Sequence, residues 1–373
     1  MSACHRLLIT LTVALLVPPG GPAVYAQSPP QARLVGVVRD AETNGSLPGA
    51  HVFIAASMIG TATDSTGRFD LRGIPLGAHR LYVSMLGYEP AVLDTLIQSA
   101  TTDTLAFELK PAVLSAGEVT VTAERDEDWY KRLQKFKRLF IGTSRRADEC
   151  TLLNPEVLAF ETKWWGRFEA FARAPLRIEN RALGYRIRYH LDAFSASGST
   201  VRWDGEPFFE PLTPTDSAEA AAWVAHRQVA YSGSMRHFLR ALRSDRLREA
   251  GFTVYHHPNE AFRSTSSRFR IRARRLIEPT AEDSVSTLNF FGRLEIIYRH
   301  EQEDSRFLRW AGLYHRRASG VQTSHLELNE HPVTVDASGE IVEPYGATVY
   351  GYFAFERLAD AVPRGYAPPS SQR

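Results

Sequence analysis

Residues 33–69 decide the fold, and they read RLVGVVRDAETNGSLPGAHVFIAASMIGTATDSTGRF. From here to Pro111, short apolar runs alternate with turns made of Gly, Pro, Asn and Asp. These turn signals recur at intervals of about 8–12 residues, a spacing typical of an all-β sandwich. The sequence therefore predicts a small β-sandwich over residues 32–111, in which no catalytic group is recognisable.

Individual residues support strands and turns at defined places. Gly36 lies inside an apolar run, where the absence of a side chain permits close approach of a neighbouring strand. Asn44 and Gly45 both tolerate positive φ and predict a tight turn. Phe69 and Leu71 alternate with polar residues, so we expect both on the core face of one strand.

Three motifs complete the pattern: LPGAHV at residues 47–52, IPLG at 74–77 and MLGY at 85–88. With them, the region resembles the carboxypeptidase regulatory-like domain, a transthyretin-like module. This module accompanies zinc carboxypeptidases and occurs in many exported bacterial proteins. The resemblance implies a seven-stranded β-sandwich with an accessory role, because in those enzymes the zinc and the catalytic glutamate lie on a separate domain.

Residues 1–26 have the pattern of a signal peptide. Arg6 provides a basic start, residues 7–17 form a short apolar core, and small residues precede a cleavage point after Ala26. Cys4 lies ahead of the apolar core, whereas a lipoprotein signal would need it behind. We expect export to the periplasm or outer membrane of a Gram-negative type of cell. No later segment reaches the roughly 18 uninterrupted apolar residues of a membrane helix, so we expect no transmembrane helix after cleavage.

The composition excludes some functions. The 373 residues include 44 Lys and Arg against 42 Asp and Glu, giving a net charge of +2. Nucleic-acid-binding proteins normally carry a strong basic surplus, so nucleic acid is not an expected partner. Cys150 is the single cysteine after cleavage, which excludes an intramolecular disulfide and a thiolate metal cluster. We favour a small buried residue for Cys150, with a reactive nucleophile as the alternative.

Residues 112–145 are predicted to be a linker and an amphipathic helix. The string EVTVTA at residues 118–123 is similar to the segment that joins the same module to the plug of TonB-dependent outer-membrane receptors. That similarity implies an outer-envelope origin. Further on, Trp129, Leu133 and Phe136 recur near the 3.6-residue period of a helix.

Residues 146–363 are predicted to be a strand-rich α+β domain, and residues 364–373 a polar tail. The fold class of the whole chain is therefore mainly β, or α+β. Alternating apolar and polar side chains predict strands at residues 168–173, 185–194, 268–276, 288–298, 323–328 and 350–355.

Two internal helices are expected in this domain. Asp216 can cap a helix at residues 217–229, and Ser232 or Ser234 can cap a helix at residues 235–249. Several strings of the region resemble one family of exported bacterial proteins that carry the same module, a resemblance that brings no catalytic residues. These strings are FIGTS at 140–144, NPEVL at 154–158, PLRIEN at 175–180, LGY at 183–185 and YSGSMRHF at 231–238.

A zinc site is one possible source of catalysis. His257 and Glu260 fit a His-x-x-Glu motif, with His325 or His331 as a third ligand. Pro258 inside the motif restricts the backbone that would aim both ligands at one metal. We favour a solvated loop, and zinc carboxypeptidase-like hydrolysis stays the alternative function.

A pair of carboxylates is a second possible source. Glu206 and Glu210 flank the string PFF, and paired carboxylates catalyse glycoside hydrolysis. We favour an exposed acidic rim on a loop.

The segment RFRIRARR at residues 268–275 is the most unusual local feature. On a strand, one face would carry Arg268, Arg270, Arg272 and Arg274. Guanidinium groups so close together repel one another unless an anion lies across them. One interpretation is an acidic neighbouring strand that bears Glu295, or Glu327 and Glu330. The other is an anionic envelope component, such as phosphate or carboxylate groups of a glycan or lipopolysaccharide.

Trp164 and Trp165 are the second candidate for binding. Adjacent residues of a strand point to opposite faces, so at most one of the two faces the core. An exposed Trp can stack on sugars or on a partner protein. We favour burial under long loops.

These observations predict a non-catalytic, exported cell-envelope protein with a binding or scaffolding role. The expected partner is an envelope glycan or an outer-membrane protein, and no cofactor or metal is expected. The candidate ligand-binding residues are Arg268, Arg270, Arg272, Arg274, Trp164 and Trp165.

Overall fold

A computed structural model describes residues 31–100, 102–112, 126–258, 269–280 and 284–369. The predicted signal peptide, the string at residues 118–123 and the last four residues of the predicted tail lie outside this range.

The amino-terminal region contains seven strands. They form one sheet in the order β4-β1-β7 and a second in the order β3-β2-β5-β6, with β1 and β7 parallel. The predicted seven-stranded sandwich is therefore confirmed. The strands are β1 Gln31–Asp40, β2 His51–Ile54, β3 Gly60–Ala62, β4 Arg68–Pro75, β5 Gly77–Ser84, β6 Ala91–Ile97 and β7 Thr102–Leu109.

The local sequence explains this sandwich. A Cβ on Gly36 would lie 2.2 Å from the carbonyl oxygen of Leu105, so only glycine lets β1 and β7 pair here. Asn44 alone takes the positive φ, 57°, of the predicted turn. Phe69 and Leu71 are both buried, as their alternation predicts.

A six-stranded sheet follows the first helix. Its order is β8-β11-β12-β10-β9, and β13 pairs with the long strand β12. Asp126 caps the helix by accepting a hydrogen bond from Trp129 N, and the helix buries Phe136 and Phe140 against this sheet. The elements are α1 Glu127–Phe140, β8 Cys150–Leu152, β9 Leu158–Thr162, β10 Phe168–Ala172, β11 Leu176–Asn180, β12 Tyr185–Ser197 and β13 Thr200–Pro211.

The remaining residues form two smaller sheets and four helices in the described ranges. The sheet orders are β15-β14-β18-β19-β21 and β16-β17-β20. The helices are α2 Ser217–Tyr231, α3 Met235–Arg243, α4 Ser305–Trp310 and α5 Tyr352–Phe355. The strands are β14 Phe252–His257, β15 Phe269–Arg270, β16 Ile277–Pro279, β17 Val285–Leu288, β18 Arg293–Tyr298, β19 Gln322–Leu328, β20 Val333–Asp336 and β21 Ala347–Gly351.

Both predicted helices exist, but the second is shorter than expected. Asp216 caps α2 and Ser234 caps α3, each by accepting a backbone hydrogen bond. Helix α3 ends at Arg243 because the Ser244 hydroxyl bonds to the carbonyl of Arg240 and Asp245 takes a left-handed conformation. Two additional short helices, α4 and α5, were not predicted.

Three predicted strands are wrong in extent. In the described part of the strand predicted at residues 268–276, which is residues 269–276, the chain forms the two-residue strand β15 and then a 3₁₀ turn at Ala273–Arg275. Residues 288–298 are divided between β17 and β18 because Gly292 reverses the chain with φ +78°. Strand β21 ends at Gly351, whose positive φ of 67° starts α5 instead.

The sandwich packs tightly on the larger region through an aromatic cluster. Phe53 of β2 and Tyr82 of β5 meet Phe208 of β13, and all three side chains are buried. His51 stacks on Phe53, and His190 of β12 lies against both Phe53 and Tyr82 with ring centroids 5.5 and 4.7 Å away. We term these five residues the junction cluster.

Backbone and ionic contacts surround the junction cluster. Ala56 N donates to the Pro207 carbonyl at 2.7 Å, and Phe209 N donates to the Ser57 carbonyl at 2.9 Å. Arg364, placed in the predicted polar tail, instead ion-pairs with buried Asp336 and donates to the Ala78 carbonyl. The division of the chain into domains stays a prediction. These contacts join the amino-terminal sandwich to the region that was predicted to be a separate domain.

The first prediction concerns the apolar part of the junction. We expect Phe53→Ala to lower the free energy of unfolding by about 3–5 kcal/mol, because it leaves a cavity among buried rings. Urea titration measures this loss. Leu86→Ala is the matched control, since Leu86 is 91% exposed. A loss below about 1 kcal/mol for Phe53→Ala, near the scale of surface changes, would contradict the packing.

Both junction histidines are held neutral. Burial lowers the pKa of His51 to about 3, with further lowering by Arg188 and His190. Burial, with Arg188 nearby, lowers the pKa of His190 to about 4. Unfolded histidine titrates near 6.5, so the unfolded chain binds more protons than the folded chain below that pH. Stability from these groups is therefore complete above pH 6.5 and decreases as the pH falls toward 4.

The second prediction follows from this loss of stability at low pH. We expect the melting temperature of the wild-type protein to fall between pH 7 and pH 5, and the fall to be smaller in the double variant His51→Gln/His190→Gln. Buried Glu206 has a raised pKa, so its contribution to stability increases as the pH falls. Because Glu206 is present in both proteins, it does not affect the comparison between them. His315→Gln, at an exposed position, serves as the control. Parallel melting curves for the double variant and the wild type across this pH range would contradict the assignment.

Candidate functional site

The arginine segment lies at the edge of the five-stranded sheet. Arg270 of β15 pairs with Tyr255 of β14, and Ile271 N continues the contact by donating to the Val254 carbonyl at 3.1 Å. The 3₁₀ turn that follows buries Ala273. The backbone is therefore anchored to the sheet, although most of it is not a strand.

The arginines point outward, as predicted, although most of the segment is not the predicted strand. Arg270, Arg272 and Arg274 are exposed, whereas Ile271 is half-buried and Ala273 is buried. Phe269, expected on the core side, is 60% exposed. Arg268 lies outside the described residues.

These side chains line a groove with a volume of about 550 Å³. Arg248, which follows α3, lines the same groove. Among the described residues that line the groove, Asp245 is the one with a carboxylate. We term Arg248, Arg270, Arg272 and Arg274 the basic groove. Sequence reasoning missed Arg248, although its position just before a sheet strand could have placed it beside the arginine segment.

The acids proposed as internal partners are engaged elsewhere. Glu295 lies 2.9 Å from His257 Nε2. Glu327 ion-pairs with Arg293 and accepts a hydrogen bond from the Tyr350 hydroxyl at 2.8 Å. Over the described ranges, no ion pair joins the basic groove to a carboxylate within 4 Å. The described arginines of the groove are therefore not paired with Glu295 or Glu327, and the interpretation as internal ion pairs stays a prediction for Arg268, which lies outside the described residues.

The tryptophan pair occupies the tip of the β9–β10 hairpin. Gly166 N donates to the Lys163 carbonyl at 2.8 Å, and Gly166 takes φ +88°. This turn puts Trp164 and Trp165 at its two central positions, 92% and 55% exposed, with their rings 5.3 Å apart. The expectation of strand positions and burial is wrong, because both central residues of a hairpin turn point away from the sheet.

The described histidines of the zinc hypothesis have contacts other than a metal site. His257 contacts Glu295, and burial lowers the pKa of His325 to about 4. His331 stacks on Phe291 at 4.5 Å. Glu260 lies outside the described residues. Within the part of the chain that is described, no three His, Cys, Asp or Glu side chains are grouped so as to hold a metal ion.

The paired glutamates belong to strand β13 and not to a loop. Glu206 is buried and ion-pairs with Arg80 of the sandwich at 3.0 Å. Glu210 ion-pairs with Arg188 at 2.7 Å. Both carboxylates therefore bind arginines beside the junction cluster.

Cys150 is buried, as favoured from the sequence. Burial raises the pKa of its thiol to about 12, so the reactive thiolate is strongly disfavoured.

No described helix is both long enough and apolar enough to cross a membrane.

Comparison with solved structures gives short partial matches. A cohesin–X–dockerin complex from Acetivibrio cellulolyticus is 13% identical over 21% of this chain and 58% of its own, with a TM-score of 0.19. A shaft pilin from Lactobacillus rhamnosus is 15% identical over 22% and 46%, also at 0.19. Catechol 1,2-dioxygenase from an Acinetobacter species is 12% identical over 23% and 54%, at 0.20. The chain spans about half the length of these structures.

Comparison with family models gives a match at the amino-terminal region. No curated protein matches the chain. Residues 34–121 match the CarboxypepD_reg-like domain. The match covers the segment in which the sequence motifs and the seven-stranded sandwich were found. The chain therefore contains a carboxypeptidase regulatory-like domain.

Proposed function

We propose that this chain is an exported, non-catalytic binding protein of the cell envelope, which holds an anionic glycan through the basic groove. The single observation that carries the proposal is the exposure of Arg248, Arg270, Arg272 and Arg274 in one groove with no carboxylate paired to them in the described ranges. The regulatory-like domain supports a role other than catalysis, since it is an accessory module.

Like charges in one groove favour an anionic occupant. Guanidinium groups repel one another and are stabilised when an anion bridges them. Arginine binds phosphate and carboxylate with two parallel hydrogen bonds, so these groups are the expected contacts. Phosphorylated or acidic envelope glycans present such groups repeatedly along a chain. A polymer of this kind can satisfy several arginines at once.

The envelope location is part of the proposal. It is supported by residues 1–26, which have the basic start, apolar core and small residues of a signal peptide. The tip of the β9–β10 hairpin supplies a second contact, because Trp164 is 92% exposed and an indole stacks well on a sugar ring.

The third prediction tests the basic groove by charge reversal. We expect Arg270→Glu/Arg272→Glu to weaken binding to lipopolysaccharide at least about 10-fold at low salt, which corresponds to about 1.4 kcal/mol. The melting temperature should stay unchanged, because both side chains are exposed. Surface plasmon resonance at two salt concentrations, with a melting curve, measures both quantities.

The control for this experiment carries the same change in charge. Arg132 and Arg317 are exposed and lie outside the groove, so Arg132→Glu/Arg317→Glu should keep most of the binding. Equal weakening of binding by both double variants would mean that the net charge of the protein, and not the basic groove, determines the affinity. A collapsed melting curve for Arg270→Glu/Arg272→Glu would instead make these arginines structural.

The fourth prediction concerns the hairpin tip. We expect Trp164→Ala/Trp165→Ala to melt within about 1 °C of the wild type, because exposed side chains contribute little to stability. If the indoles stack on the glycan, the same variant binds lipopolysaccharide about 3–10-fold more weakly, since an aromatic contact contributes about 0.5–1.5 kcal/mol. Phe171→Ala, 51% exposed on the neighbouring strand, is the control. Unchanged affinity in the tryptophan variant would remove the tip from the binding surface.

A further inference from the structure

The chain at the end of the short helix α4 presents large apolar side chains to solvent. Residues 312–318, which follow the helix, are all exposed. We term residues 309–318 the α4 tip. Trp310, Leu313 and Tyr314 of this tip are 41%, 40% and 71% exposed. Exposed apolar side chains that lie together mark a surface that contacts a protein or a membrane.

The backbone of the α4 tip is fixed by the way the helix ends. Leu313 N donates to the Leu308 carbonyl at 2.7 Å, and Gly312 N donates to the Arg309 carbonyl at 3.1 Å. With Gly312 at φ +71°, these two bonds form the Schellman motif that ends many helices. The exposure of the tip is therefore a property of an ordered turn.

The opposite face of α4 anchors the tip. Phe307 and Leu308 are buried against Tyr352 and Phe355 of helix α5. The ring of Trp310 lies 5.7 Å from that of Phe355, so this indole is held at its inner side while its outer side is exposed. The tip is therefore a firm support for the side chains that it displays.

The charge of the tip is positive. Residues 305–326 contain four arginines and no aspartate or glutamate. Arg309 and Arg317 are both exposed, and neither forms an ion pair with a residue in the described parts of the chain. Apolar and cationic side chains therefore occur together on the same short segment.

The acids that precede the helix do not neutralise these two arginines. Glu303 is buried and forms two 2.6 Å contacts with Arg316. Asp304 ion-pairs with Arg145 at 3.1 Å. Each of these carboxylates already has its own guanidinium, so the positive charge of Arg309 and Arg317 remains.

This combination of side chains matches the surface of an anionic bilayer. Tryptophan and tyrosine are enriched at membrane–water interfaces, where one end of the ring is apolar and the other is hydrated. Anionic headgroups attract arginine within a Debye length of the surface. A stable protein partner usually covers a wider patch, about 800 Å² on each side, so a short projecting segment fits a bilayer better.

We propose that the α4 tip docks the protein on the surface of an anionic phospholipid bilayer. Trp310, Leu313 and Tyr314 enter the headgroup region. Arg309 and Arg317 bind the lipid phosphates.

This docking goes beyond the function proposed for the basic groove and does not depend on it. In lipopolysaccharide, saccharide chains cover the lipid, so the tip contributes little to the lipopolysaccharide assay. Arg132→Glu/Arg317→Glu therefore stays a valid control in that assay. Vesicles without saccharide test the tip, and their result is independent of glycan binding.

The fifth prediction is tested by sedimentation with large vesicles. One preparation contains phosphatidylglycerol and phosphatidylcholine in equal parts, and the other contains phosphatidylcholine alone. We expect the wild-type protein to bind the anionic vesicles saturably, and at least about 10-fold more tightly than the neutral vesicles at low salt.

Two variants of the tip separate its charge from its apolar surface. Arg309→Glu/Arg317→Glu should weaken binding to the anionic vesicles at least about 10-fold, because it reverses both cationic contacts. Leu313→Ser/Tyr314→Ser should weaken it about 5-fold or more, since less apolar surface enters the interface. Both variants should melt within about 2 °C of the wild type, because all four side chains are exposed.

Each variant has a matched control outside the tip. Arg132→Glu/Arg138→Glu makes the same change in charge at exposed positions of α1. Leu86→Ser/Val92→Ser removes exposed apolar side chains from the sandwich. Both controls should keep most of the vesicle binding.

Four results would overturn the docking. The first is a wild-type protein that does not bind the anionic vesicles saturably, and the second is equal affinity in the wild type and both tip variants. The third is an equally large loss of vesicle binding in Arg270→Glu/Arg272→Glu, which would assign the lipid to the basic groove. The fourth is tighter binding of polyglutamate than of the vesicles, lost in both tip variants, which would indicate an acidic protein partner instead.

Discussion

The rest of the structure depends on the burial of Phe53, Tyr82 and Phe208 between the sandwich and the long β12–β13 hairpin. Fully burying side chains of this size contributes several kcal/mol to stability, and the backbone contacts at Ala56 and Ser57 fix the register in which they meet. A module that is an accessory in its family is here packed against its neighbour by its own core-forming strands β2 and β5. The regulatory-like domain is therefore packed directly against the sheet beside it.

This contact determines which partners the surrounding polar residues have. Because side chains alternate along a strand, placing Phe208 against the sandwich directs Glu206 and Glu210 to the same side, where Arg80 and Arg188 neutralise them. Two carboxylates for which the sequence favoured an exposed rim are instead paired with arginines at this contact. The same constraint keeps His51 and His190 neutral, since a charged imidazole among these rings would lack compensating hydration.

Sequence reasoning succeeded where the information is local. The turns around Asn44, the alternation of Phe69 and Leu71, and the caps of α2 and α3 each depend on a few adjacent residues. It failed where a distant contact overrides the local period, as at Gly292, whose Cβ would collide with the His257 carbonyl. The outward direction of Arg270 and Arg272 was predictable from alternation. The contacts of Glu295 with His257 and of Glu327 with Arg293 were not, because these residues meet only when strands β14, β18 and β19 pair.

The basic groove shows why the overall composition hides local charge. The net charge of +2 is a sum over the whole chain, and most surface ion pairs contribute little beyond cancelling each other. What can select a ligand is the charge left after pairing, and among the described residues positive charge is left in the groove lined by Arg248, Arg270, Arg272 and Arg274. Arg248 lines this groove from the segment after α3, so the motif at residues 268–275 marks only part of it.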